Sequence, residues 1–146
     1  MLKSQTIFGN LLRNIGDMNS ILFIQHGDFA DAFNRFAAGG METYRDQRAS
    51  VDFVAEVSKD SRVTVFSFGN DISEVQIGPN LFARSGNKRS FGRKEIFALF
   101  EELGATHLVL RTPHVGFLTE ATRRRIPVLP SFADIFSSSG FRGRYR

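Results

Sequence analysis

The stretch SILFIQHGDFADAFNRFAAGGMETYRDQRASVDFVAEVSKDSRVTVFSF (20–68) decides the fold. It opens on SILFIQ (20–25), a short and almost wholly apolar run, the pattern of a central strand buried on both faces. It closes on RVTVFSF (62–68), rich in β-branched and aromatic side chains, which reads as a second strand. Between them Met41, Tyr44, Val51, Val54, Ala55 and Val57 fall mostly on one helical stripe, with Arg45, Asp46, Arg48, Asp52 and Glu56 away from it. The spacing predicts one long amphipathic helix over 41–57.

The connection from the first strand to that helix is HGDFADAFNRFAAGG (26–40), read as a fifteen-residue loop. Strand-to-helix connections usually take about 2–6 residues, and longer ones tend to be functional. The loop ends in Gly39 and Gly40, directly before the expected helix start. Glycine leaves no Cβ in the way of a ligand, and a helix N-terminus offers free N–H groups to a phosphate or carboxylate. The alternative is a plain turn before a helix. Two adjacent glycines are not the Gly-x-Gly-x-x-Gly fingerprint of a dinucleotide site.

Working outward, residues 1–19 hold Ile7, Leu11, Leu12 and Ile15 at near-helical spacing and read as a short amphipathic extension. SEVQIG (73–78) and NLFARS (80–85) are weaker strand candidates split by Gly78-Pro79. Ser90 precedes a helix with an Ile96, Phe97, Leu99, Phe100, Leu103 stripe and Gly104 as its stop. THLVLRT (106–112) is a strand, HVGFLTEATRRR (114–125) a helix with its arginines at the end that suits the helix dipole, and IPVLPSF (126–132) a last strand. Pro130 inside it predicts an edge position or a bulge. Alternation of this kind implies a three-layer α/β sandwich: a mostly parallel sheet with helices on both faces, in one domain over 20–146.

Composition narrows the function. The 146 residues suit one domain with a real core, 42% of them apolar, with sixteen phenylalanines and no tryptophan. The absence of cysteine excludes disulfides and thiolate metal sites, and three histidines make a histidine-based metal site unexpected. No apolar run reaches the roughly 20 residues of a membrane span, and the N-terminus lacks a signal-peptide pattern, so a cytoplasmic protein is expected. The net charge of +4 is concentrated in ARSGNKRSFGRK (83–94), RRR (123–125) and RGRYR (142–146). Such runs suit an anionic ligand or an anionic membrane face, and equally a solvated surface. No RNA or DNA module is present, so nucleic acid is not an expected partner.

The order and spacing of ILFIQ, Gly39-Gly40-Met41-Glu42, RVTVFSF and THLVLRTPHVGFLTEATRRRIPVLPSFAD, over about residues 20–136, resemble the N-terminal domain of retaining family 4 glycosyltransferases of the GT-B type. The resemblance implies a Rossmann-like acceptor-side domain of an enzyme that moves a sugar from a nucleotide-diphosphate donor to a glycan or lipid-linked acceptor. It implies no cofactor beyond that co-substrate, and a role in bacterial polysaccharide biosynthesis. It also implies a donor-binding C-terminal domain, which residues 1–146 do not include, as the partner needed for turnover. In that family the Gly-Gly loop lies near the donor phosphate, which gives Gly39 and Gly40 the role of backbone donors to the leaving group and puts Glu42 beside them. Where many relatives carry a histidine after the last strand, this chain has Ala133 followed by Asp134, leaving Asp134 as the one weak catalytic candidate.

The remaining candidates follow from position. His26 ends the first strand and faces the presumed cleft, as a ligand contact or as a loop histidine bonded to backbone. Arg111, Thr112 and His114 follow the strand THLVLRT at the same sheet edge; Arg111 is either a bidentate anion clamp or a salt-bridged strand cap. His107 sits inside a strand and reads as structural. No Ser–His–Asp set or carboxylate pair stands out, so hydrolase chemistry is not expected. The alternative to transferase function is a non-catalytic Rossmann-like module that binds a phosphorylated or anionic ligand by itself.

Overall fold

The computed structural model describes residues 18–69, 72–111 and 115–130. The N-terminal helix expected within 1–19 therefore falls almost wholly outside the described residues. The elements are β1 (Ser20–His26), α1 (Phe29–Ala37), α2 (Gln47–Val57), β2 (Arg62–Phe68), β3 (Ser73–Gly78), β4 (Leu81–Gly86), α3 (Arg93–Glu102), β5 (His107–Leu110), α4 (Val115–Arg123) and β6 (Val128–Pro130).

Six strands form one sheet in the order β3-β4-β2-β1-β5-β6. Five of them run parallel, and β3 alone is antiparallel, hairpinned onto β4. This is the mostly parallel α/β sandwich that the alternating apolar runs imply. Side chains along β1 alternate between two buried faces, which is why its sequence is apolar without a polar period. Leu22 and Ile24 join Phe66, Leu108 and Leu110 under α3 and α4, against Ile96, Phe97, Leu99, Phe100 and Ala121. Phe23 joins Val63, Val65, Leu81, Ala83 and Val109 on the other face, against Phe29 and Ala32 of α1 and Val51 and Val54 of α2. β6, with Pro130, is the outer strand of the described sheet, an edge position where the missing proline N–H costs no ladder bond.

Three helices end in the same way. After α1 the Gly39 N–H donates to the Phe36 carbonyl (3.0 Å) and the Gly40 N–H to the Arg35 carbonyl (2.8 Å), with Gly39 at φ +80°. After α3 the Gly104 N–H donates to Glu101 and the Ala105 N–H to Phe100, with Gly104 at φ +59°. After α4 the Arg125 N–H donates to Thr122 and the Ile126 N–H to Ala121, with Arg125 at φ +57°. Each pair of bonds is a Schellman cap, which satisfies carbonyls that the last helical turn leaves open.

This overturns two expectations about the first connection. The segment 26–40 is not a long loop, because residues 29–37 form α1. Its start is capped by the Asp28 carboxylate, which accepts from the Asp31 N–H at 3.0 Å, and its apolar face buries Phe29 and Ala32. The glycine pair closes this helix instead of opening the next one. The second helix begins at Gln47, six residues later than the apolar stripe suggested.

Candidate functional site

Because five strands are parallel, their C-terminal ends share one edge of the sheet. The chain turns to opposite sides of β1 there: β2 pairs with one edge of β1 and β5 with the other. Open α/β sheets take ligands at such a reversal, since the two connections leave in opposite directions and part above the strands. A cavity of about 350 Å³ lies at this point.

Five regions of sequence build it. Ile24, Gln25 and His26 come from the end of β1, Phe68 and Leu110 from the ends of β2 and β5. Lys88, Phe91, Gly92 and Arg93 come from the β4–α3 connection and the first residue of α3, and Phe117 from α4. The connection is short and tied to itself: the Asn87 backbone carbonyl accepts from the Phe91 N–H (2.9 Å) and the Asn87 side chain from the Ser90 N–H (2.8 Å). Phe91 packs on Phe66 with ring centroids 5.0 Å apart. It fits there because residue 86 is glycine; a Cβ at that position would come within 2.6 Å of the Phe91 ring. The Glu95 carboxylate turns back to accept from the Gly92 N–H (2.9 Å), so it is occupied by the backbone at the start of α3.

The cavity is apolar below and cationic at its rim. No aspartate or glutamate is among its lining residues. A second depression of about 570 Å³ continues along the same edge through His26, Phe68, Asn87, Lys88 and Arg89. The His26 ring lies 5.5 Å from that of Phe68. Burial, and secondarily the positive charge of Lys88, lower its pKa from the ordinary histidine value of 6.5, so the imidazole is neutral at neutral pH. Among the described residues no group of three or more His, Asp or Glu side chains is placed to hold a metal ion. None of the helices among them is long and apolar enough to cross a membrane.

The structure does not gather the sequence-derived candidates into one site. His26 lines the cavity. Gly39 and Gly40 do not offer N–H groups to a ligand, because both donate into the cap of α1. Gly40 is held by space as well: a Cβ there would lie 2.8 Å from the Arg35 carbonyl oxygen and against the Arg35 side chain. Glu42 is spent on the next helix, its carboxylate accepting from the Arg48 N–H at 2.7 Å. This compensates for Asp46, which precedes α2 in the left-handed region without a side-chain capping bond. Arg111 stands at the correct sheet edge, but its guanidinium donates to the Ser50 hydroxyl and lies over the Tyr44 ring at 5.4 Å. Among the described residues it has no carboxylate partner, and these two contacts tie the end of β5 to α2 and the segment before it. Thr112, His114 and Asp134 lie outside the described residues.

Phe117 was not singled out from sequence, and Lys88, Phe91 and Arg93 stood out only as part of the basic run 83–94. The signal was available in the basic run 83–94, which falls between a strand and the following helix and so on the ligand-binding edge. Comparison with family models, with curated proteins and with solved structures finds no match to this chain.

Proposed function

We propose that this chain is the acceptor-side half of a nucleotide-sugar-dependent glycosyltransferase, and that the cavity at the strand ends is the face it turns to a donor-binding domain. One observation carries the proposal: an open, carboxylate-free cavity with His26, Lys88 and Arg93 at its rim, at the reversal point of a doubly wound sheet. The order of motifs between 20 and 136 supports the finer reading. In the reaction the anomeric carbon loses its bond to the diphosphate oxygen and gains one to an acceptor oxygen, and the acceptor proton leaves with the diphosphate. Negative charge grows on the departing group, so cations at the rim assist by lowering the cost of that charge. They take over the electrostatic task first given to Gly39 and Gly40. On this proposal the reaction takes place in the cytoplasm.

The test uses the chain extended by whatever its reading frame supplies beyond Arg146, assayed for sugar transfer from uridine- and guanosine-diphosphate sugars. Lys88→Ala combined with Arg93→Ala is expected to lower kcat/KM by roughly 10- to 100-fold, the loss of about 1.5–3 kcal/mol expected for a charged contact. Transfer that proceeds unchanged in the double variant refutes the role of the rim. A second reading, ligand binding by this chain alone without transfer, is favoured by the same cations, which have no carboxylate partner among the described residues; it replaces the first if no donor is consumed.

A further inference from the structure

Two features of the cavity, taken together, restrict what fits in it. The first is the fate of cations elsewhere. Arg35 pairs with Asp31, Lys59 with Glu56, Arg84 with Glu74 and Glu102, and Arg123 and Arg124 with Glu120. Arg48, Arg62 and Arg111 lie over the Phe36, Phe82 and Tyr44 rings instead, and Arg125 stands without a carboxylate partner among the described residues; at the strand ends several such cations gather in one place. Among the described residues no carboxylate is paired with Lys88, Arg89 or Lys94, and the Arg93 guanidinium donates to a neutral acceptor, the Gly116 carbonyl, at 3.4 Å. Positive charge left uncompensated along one edge of a cavity attracts anions to it.

The second feature is the wall beneath that rim. Phe68, Phe91, Leu110 and Phe117 present apolar surface, and Phe91 is wedged against Phe66 under Gly86. Phe117 is backed in turn by Phe97 at 6.2 Å. A bare inorganic anion would leave this surface wet. At about 30 Å³ of liquid volume for each water, a cavity of 350 Å³ has room for on the order of a dozen water-sized groups. A phosphoryl group occupies fewer than half of those places.

We infer that the cavity takes a phosphate monoester carrying a small apolar group, with the phosphate at Lys88, Arg93 and His26 and the apolar group between Phe68, Phe91 and Phe117. In the function proposed above the same cations face the donor's departing diphosphate, so on that reading the ester competes with the donor; the binding itself does not rest on that function. Two sources offer the same chemistry, a prenyl-type lipid phosphate and an aryl phosphate, and the first buries more flexible hydrocarbon while the second stacks on the phenylalanines.

The experiment is calorimetric titration of the full chain with isopentenyl phosphate, phenyl phosphate, inorganic phosphate and isopentenol. At least one of the two esters is expected to bind ten-fold or more tighter than both inorganic phosphate and the alcohol. The tighter ester identifies the source. Lys88→Ala with Arg93→Ala should weaken that ester ten-fold or more, while Phe117→Leu should weaken the ester several-fold and leave inorganic phosphate unchanged. Thermal melts of both variants verify that they fold. The inference is overturned if inorganic phosphate or the alcohol binds as tightly as the esters, or if none of the four binds. Sugar transfer without ester binding would overturn this inference alone; ester binding without transfer would overturn the transferase reading alone.

Discussion

Replacing Gly40 by alanine separates a structural glycine from a ligand-facing one. The added Cβ would lie 2.8 Å from the Arg35 carbonyl oxygen, the same oxygen that accepts the Gly40 N–H at 2.8 Å. A comfortable carbon–oxygen contact is about 3.4 Å, so residue 40 must retreat by about half an ångström and the capping bond with it. A lost bond of this type costs about 0.5–1.5 kcal/mol, and the crowding adds about 1–2 kcal/mol. We expect a total near 3 kcal/mol. Gly39→Ala meets open space but sits at φ +80°. It should cost about 1–2 kcal/mol in left-handed strain, less about 0.5 kcal/mol regained from a stiffer unfolded chain. With a urea m-value of about 2 kcal/mol/M, the midpoint should fall by about 1.5 M for Gly40→Ala and about 0.5 M for Gly39→Ala. Both variants should bind the cavity ligand as the parent does. A Gly40→Ala protein with an unshifted urea midpoint and lost ligand binding would show that this glycine faces a ligand, and would refute the capping assignment.

Three further outcomes follow from the same geometry. Arg125 occupies the left-handed position that glycine fills after the other two capped helices, so Arg125→Gly should stabilise the protein by about 0.5–1 kcal/mol, read as a Tm rise of about 1–4 °C. Glu42→Ala removes the acceptor for the Arg48 N–H and should cost about 1 kcal/mol by urea denaturation, with Glu42→Gln intermediate because it keeps an acceptor but loses charge at a helix N-terminus. Because folding lowers the His26 pKa, the unfolded chain binds the proton more readily; the His26 contribution to stability is complete above pH 6.5 and declines as pH falls below it toward the folded value. NMR titration of the ring, assigned with His26→Asn, should give a midpoint below 6.5 that rises in Lys88→Ala; a parent midpoint at or above 6.5 contradicts this.

The central strands were legible because they are buried on two faces and so read as apolar runs: SILFIQ and RVTVFSF mark β1 and β2 nearly to the residue, whereas β3 has no buried residue and gave a weaker signal. The helix over 93–102 was equally clear from its stripe and its stop glycine. What failed was the direction in which Gly39-Gly40 was read. Glycine pairs occur on both sides of helices, and the rule that favours them after a C-terminus applied here. FADAFNRFA is strongly amphipathic and is preceded by Asp28, three residues before Asp31, which together announce α1. The cavity was harder to find because its rim comes from β1, the β4–α3 turn and α4. Residues separated by some 90 positions meet only through the strand order, and no local pattern encodes that order.

The central place of β1 sets a timetable for the nascent chain. One edge of β1 is filled by β2 soon after it is made, but the other waits for β5: Ser20 bonds to Thr106, 86 residues along the chain. At synthesis rates of about 5–20 residues per second, that edge stays bare for roughly 4–17 s. During this interval the first half of the sheet has a core strand with an unsatisfied backbone edge and the uncovered side chains Leu22 and Ile24. An edge of this kind recruits other strands. The yield of folded protein should therefore depend on how quickly β5 arrives, and slowing translation between β4 and β5 should divert more of the chain into aggregates than slowing it after β6.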